Sequence, residues 1–121
     1  MNRDEFNTYC GRLKASTNVV QWGNASVWKV GGKIFAICSI WGDETHQKIS
    51  FKCSDLRYQI LCELPGMVPA PYLARAKWVQ VQAPGALSDD DIKSCIEDAH
   101  AIIARKLTKK LRTELGLETI A

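Results

Sequence analysis

The sequence predicts an α+β domain: an antiparallel sheet of about five strands, in the order α-ββββ-α-β-α, with helices packed on one face. Three observations carry this expectation. An amphipathic helix opens the chain, a run of short segments rich in β-branched and aromatic residues follows, and a long amphipathic helix closes it. With 121 residues, 46% of them hydrophobic, the chain has the apolar material for one domain spanning 1–121.

Asn2 is placed to cap the first helix. Glu5 sits three residues on, as in a capping box, and Asp4 and Glu5 complement the positive end of the helix dipole. Phe6, Tyr9, Cys10 and Leu13 recur at helical spacing, so one stripe faces a core. The stretch "ASTN" (15–18) is expected to end this helix. The segments "VVQW", "VWKV", "KIFAICSIW" and "QKISFKC" then read as an antiparallel meander. Gly31-Gly32 suits a two-residue turn that needs positive φ at both positions. The third segment is apolar on both parities, as a central strand would be. The fourth alternates, with Ile49, Phe51 and Cys53 on one side and Lys48, Ser50 and Lys52 on the other.

"SDLRYQILCEL" reads as a short helix with Leu56, Ile60, Leu61 and Leu64 inward. "PGMVPAPYLARA" carries three prolines and is expected to be irregular, "KWVQVQ" to be another strand, and Pro84-Gly85 to turn the chain. Ser88 starts the last helix, with Asp91 at the capping-box position and Ile92, Cys95, Ile96, Ala99, Ile103 and Leu107 as its buried stripe. Gly116 ends a final helical turn around "KKLRTEL".

Several function classes find no support. The five cysteines include no C-x-x-C pair and no zinc-ligand spacing, so buried, reduced thiols are expected. The longest apolar run, Ile34 to Cys38, is five residues, too short for a membrane span, and the first residues carry acids where a secretory signal needs an apolar stretch. A cytoplasmic protein without a membrane partner is therefore expected. Phosphate-cradling loops, a G-x-S-x-G elbow and H-E-x-x-H are absent. His46 beside Asp43 and Glu44 reads as a solvated turn, and His100 as a surface pair with Glu97 and Asp98. No enzyme, cofactor or metal site is expected.

The formal charge is +3, which permits a polyanionic partner without demanding one. In "VWKVGGKIFAI" a lysine flanks each side of the turn. A two-residue turn sets Val30 against Lys33 and Lys29 against Ile34, so the two lysines emerge on opposite faces of the ribbon. Trp78 shares a strand face with Gln80 and Gln82, and if that face aligns with Lys48, Ser50 and Lys52, a tryptophan stands among lysines and amides. Two readings of Trp78 stay open: a stacking anchor, or a satellite core residue covered by the proline-rich segment. The cations Arg105, Lys106, Lys109, Lys110 and Arg112, opposite Asp89, Asp90 and Asp91, read as complements to the helix dipole.

"VWKVGGKIFAI", "KISFKCS", "LARAKWVQV" and "GALSDDDIKSCIEDAHAIIARKLTKKLRTEL" occur in an order and spacing that resemble the MmcQ/YjbR family of small bacterial proteins, from about Arg3 to Leu115. The resemblance implies a fold similar to bacterial frataxin (CyaY) and to type III secretion chaperones, and a DNA-binding "double-wing" motif. Many members carry N-K-x-H-W where this chain has Ala74-Arg75-Ala76-Lys77-Trp78, so charge and aromatic are kept while the asparagine and histidine are not. Iron binding, as in frataxin, needs an acidic first helix, and this one offers only Asp4 and Glu5 against Arg3, Arg12 and Lys14.

These readings lead to a monomeric, non-enzymatic protein that binds DNA largely without regard to sequence. Lys29, Lys33, Lys48, Lys52, Arg75 and Lys77 are expected at phosphates, with Trp78 as apolar or stacking anchor. The alternative is a protein-binding module that uses Trp78, Met67, Val68 and Tyr72.

Overall fold

The first helix begins with the reciprocal cap that its sequence predicts. The Glu5 N–H donates to the Asn2 side chain at 2.8 Å, and the Asn2 N–H donates to the Glu5 carboxylate at 3.0 Å. In this computed structural model, which describes residues 1–39, 47–71, 73–83 and 85–117, helix α1 is Arg3–Gly11. Strands β1 (Ser16–Gln21), β2 (Ala25–Val30), β3 (Lys33–Ser39) and β4 (Lys48–Lys52) follow, then helix α2 (Asp55–Leu61). Strand β5 (Met67–Pro69), a 3₁₀ turn (Ala74–Ala76), strand β6 (Trp78–Val81) and helices α3 (Asp89–Arg105) and α4 (Lys109–Glu114) complete the order.

All six strands form one antiparallel sheet in the order β1-β2-β3-β4-β6-β5. The β2–β3 hairpin turns at Gly31 and Gly32, whose φ values of 58° and 81° are those a two-residue turn with two positive φ angles requires. Its register sets Val30 against Lys33 and Lys29 against Ile34, so the two lysines do leave opposite faces. Just beyond, Trp28 pairs with Ala36, leaving Phe35 as an extra residue. This bulge turns both Phe35 and Ala36 into the core.

Helices α1 and α3 cover one face of the sheet. Phe6, Cys10, Ile96 and Ala99 pack there on Val30, Phe51 and Val79, all fully buried. Ile49, Phe51 and Cys53 point to this face, and β3 is buried on both sides, as their patterns predict. A smaller cluster of Ala25, Val27, Ile37, Ala70 and Trp78 occupies the other face, roofed in part by the segment after β5. The edges differ. β5 is three residues long and ends in Pro69, whereas β1 is six residues long with neither charge nor proline, and its Val19 and Val20 are exposed.

Several expectations need correction. The sheet has six strands because Met67–Pro69, within the expected irregular connection, pairs with β6. "ASTN" does not end a helix; α1 stops at Gly11, and Ser16 already pairs with Val30. Trp22 lies in the β1–β2 turn at φ 51°, outside the strand. On α2 only Leu61 of the four expected inward residues is buried, because the helix docks through Tyr58, Leu61 and Cys62. His100 is not a surface residue. It is 4% exposed, its Nε2 lies 2.8 Å from the Lys14 carbonyl, and its ring meets Phe35 edge-on at 5.2 Å. The readings that involve Ile40, Trp41, Asp43, Glu44, His46, Tyr72 and Pro84 lie outside the described residues.

Candidate nucleic-acid interface

Strand register decides which of the seven candidate residues come together. β3 leaves the hairpin tip, β4 returns antiparallel to it, and β6 again reverses, with Lys52 opposite Trp78. The end of β4 and the start of β6 therefore lie at the same end of the sheet as the hairpin. Lys29 and Lys33 flank the turn, Lys52 ends β4, Lys77 precedes β6, and Arg75 sits on the 3₁₀ turn just before it. Lys33 and Arg75 are exposed, while Lys29, Lys52 and Lys77 are half-buried.

Helix α3 brings more cations to the same place. A Cβ on Gly31 would come within 2.5 Å of Leu107 Cδ1, so the hairpin tip rests on the residue after the α3 C-cap. Arg105 and Lys106, both exposed, thus stand beside the tip, and the exposed Lys109 and Lys110 open α4 next to them. Sequence reading assigned these four to dipole complementation alone. The missing signal was length. A 17-residue helix spans roughly 25 Å and a seven-residue strand nearly as much. A helix that starts at the far end of the sheet must then deliver its last turn to the hairpin.

The Lys52 ammonium is held below its ordinary pKa by burial first and then by repulsion from Lys106, with Asp55 and Cys53 opposing and Lys77 adding the smallest push. Its Nζ donates to the Ala76 carbonyl. Lys77 adopts φ 63°, a conformation unusual for a residue with a Cβ, and sets its Nζ 4.9 Å from the centre of the Tyr58 ring. The opposite end of the molecule is acidic. Asp89, Asp90 and Asp91 start α3, and Asp4 and Glu5 start α1, the two helix starts sharing a cavity lined by Met1, Asn2, Ser88 and Asp89.

Two candidate residues are placed elsewhere. Trp78 shares its face with Lys52 as the alignment required, but it is only 5% exposed beneath Ala70 and Leu73, so it packs and cannot stack on a partner. Lys48 begins β4 at the far end and is also 5% exposed, on the wall of a groove of about 570 Å³ that Ile37, Ser50 and Gln80 help to line. Neither is at the surface where a phosphate would lie. The alternative protein surface also loses its centre, because Met67 and Trp78 are buried. Among the described residues no three His, Cys, Asp or Glu side chains are grouped to hold a metal, and no helix is long and apolar enough to cross a membrane.

The family model YjbR matches residues 11–102. This chain belongs to the YjbR family. The matched span contains the hairpin, the sheet and most of α3, while α4 and its lysines lie beyond it. Solved structures agree in fold. A Deinococcus radiodurans protein with a DUF419 domain superposes with a TM-score of 0.84 at 22% identity, over 99% of this chain and 94% of that one. A protein from Pseudomonas syringae gives a TM-score of 0.70 at 24% identity, over 85% of this chain and 99% of that one. No curated protein matches the chain.

Proposed function

We propose that this YjbR-family chain is a non-enzymatic nucleic-acid-binding protein that grips the phosphate backbone of duplex DNA at the hairpin end of its sheet. The observation that carries this reading is the convergence of Lys29, Lys33, Lys52, Arg75, Lys77, Arg105 and Lys106 at one end of a molecule whose other end is acidic. Burial first, and then the neighbouring Lys106, hold the Lys52 ammonium below its ordinary pKa, and a phosphate beside these cations favours its charged form. Lys29 and Lys33 leave opposite faces of the hairpin, so the tip contacts a duplex by straddling its backbone. The cations come from a hairpin, a 3₁₀ turn and helix ends, with no helix face of base-reading side chains among them, which favours contact with phosphates over bases.

The test is fluorescence anisotropy with a labelled duplex of about 20 bp across a range of salt. Three to five phosphate contacts give a slope of log K against log[salt] of about −3 to −4.5. The double variant Lys33→Ala, Lys77→Ala should bind several-fold more weakly, with a slope flatter by about 2. An unchanged slope in that variant, or no binding by the parent protein at low salt, rejects the assignment.

A further inference from the structure

Helix α2 is apolar on two sides. Tyr58, Leu61 and Cys62 face the core, while Leu56, Ile60 and, in the turn that follows, Leu64 point outward at 67%, 54% and 38% exposure. The outward residues are spaced by four, so they form a stripe about two helical turns long. Docking on the sheet needs only one apolar side, and the second apolar side of this helix faces solvent. The stripe forms one wall of a groove of about 470 Å³. Helix α3 supplies the other wall through Asp91, Ser94, Cys95 and Asp98, and Ser94 is small enough for a third helix to come close.

Charge selects the occupant. Among the described residues neither Asp91 nor Asp98, the two carboxylates that line the groove, is in an ion pair. Arg57, the cation in the groove, is turned toward Cys95, its Nη1 3.4 Å from the thiol sulfur. A nucleic acid is repelled by such a rim. A second copy of this chain, docked stripe to stripe, would bring its own Asp91 and Asp98 to the same two carboxylates, with Arg57 of each copy turned inward to Cys95. An amphipathic helix with lysine or arginine beside its apolar face satisfies both the leucines and the acids.

From this combination we infer that the α2–α3 groove is a docking site for a basic amphipathic helix of a partner protein. The groove is lined by none of the seven cations at the hairpin end and does not depend on the nucleic-acid reading. The test uses two synthetic helical peptides, one with leucines at helical spacing flanked by lysines and one with glutamate in place of each lysine. Binding is followed by amide chemical shifts of the labelled protein. The lysine peptide is expected to shift residues of 56–64 and 91–98 and to bind at least tenfold more tightly than the glutamate peptide. Ile60→Lys and Leu56→Lys replace exposed side chains, should leave the melting temperature in place, and should each weaken the lysine peptide at least tenfold. Equal binding of both peptides, binding of neither, or shifts elsewhere overturns the inference. A concentration-dependent dimer in sedimentation that Ile60→Lys dissolves also overturns it, in favour of a second copy.

Discussion

His100 carries the clearest consequence at the scale of single residues. Burial holds its imidazole below the ordinary pKa, against smaller opposing contributions from the Lys14 carbonyl and Glu97. The folded protein therefore prefers neutral His100. This adds stability that is complete above the unfolded value of about 6.5 and is lost as pH falls from there toward the lowered folded value. Chemical denaturation at pH 7.5 and pH 5.5 should show a loss on the acid side, and His100→Gln, which cannot titrate in this range, should flatten it. An equal slope in both proteins would assign the effect to other groups. The sequence could not reveal this burial, because Glu97 and Asp98 made the helix look solvated there while the covering groups, Lys14 and Phe35, come from distant segments. Caps were legible because they are local. Asn2, Ser88 and the paired glycines each act within three residues of their partners.

At the level of elements, the hairpin and α3 meet at one tight point, Gly31 against Leu107. Alanine at Gly31 or Gly32 must adopt a positive φ, at roughly 1 kcal/mol or more. Only at Gly31 would the new Cβ also collide with a buried leucine, 2.5 Å away, adding roughly 1–3 kcal/mol of overpacking. Gly31→Ala should thus be the more destabilising in urea titrations, whereas equal midpoints would mean that Leu107 yields freely. The sequence specified both elements but not their contact, since nothing local ties residue 31 to residue 107. Helix α2 failed for a related reason. Apolar residues on two sides leave its periodicity ambiguous, and the choice of Tyr58, Leu61 and Cys62 as the inner side is made by the sheet it packs on. β5 escaped notice because prolines mask a three-residue edge strand.

Over the whole molecule, the order of helices and strands was readable from pattern, while the candidate site emerged only when the register gathered scattered cations at one end. That polarity makes location matter more than net charge. Asp4→Asn with Asp90→Asn would raise the charge from +3 to +5, yet at the end away from the cluster and beyond the ~8 Å screening length at physiological salt. DNA affinity should change by about twofold or less. Lys33→Gln with Lys106→Gln, equal in size and opposite in sign, should weaken it about tenfold or more, and matching effects from the two pairs in parallel titrations would show that only total charge counts. The unequal sheet edges have a consequence of another kind. In polymer terms, growth into a fibre needs a monomer of functionality two, with one reactive edge for each neighbour. Among the described residues this sheet offers one, since β1 is long and uncharged whereas β5 is short and ends in a proline that has no N–H to give. Two copies joined edge to edge through β1 use up the reactive group of each. By edge pairing alone, the chain is its own terminator: such growth stops at the pair.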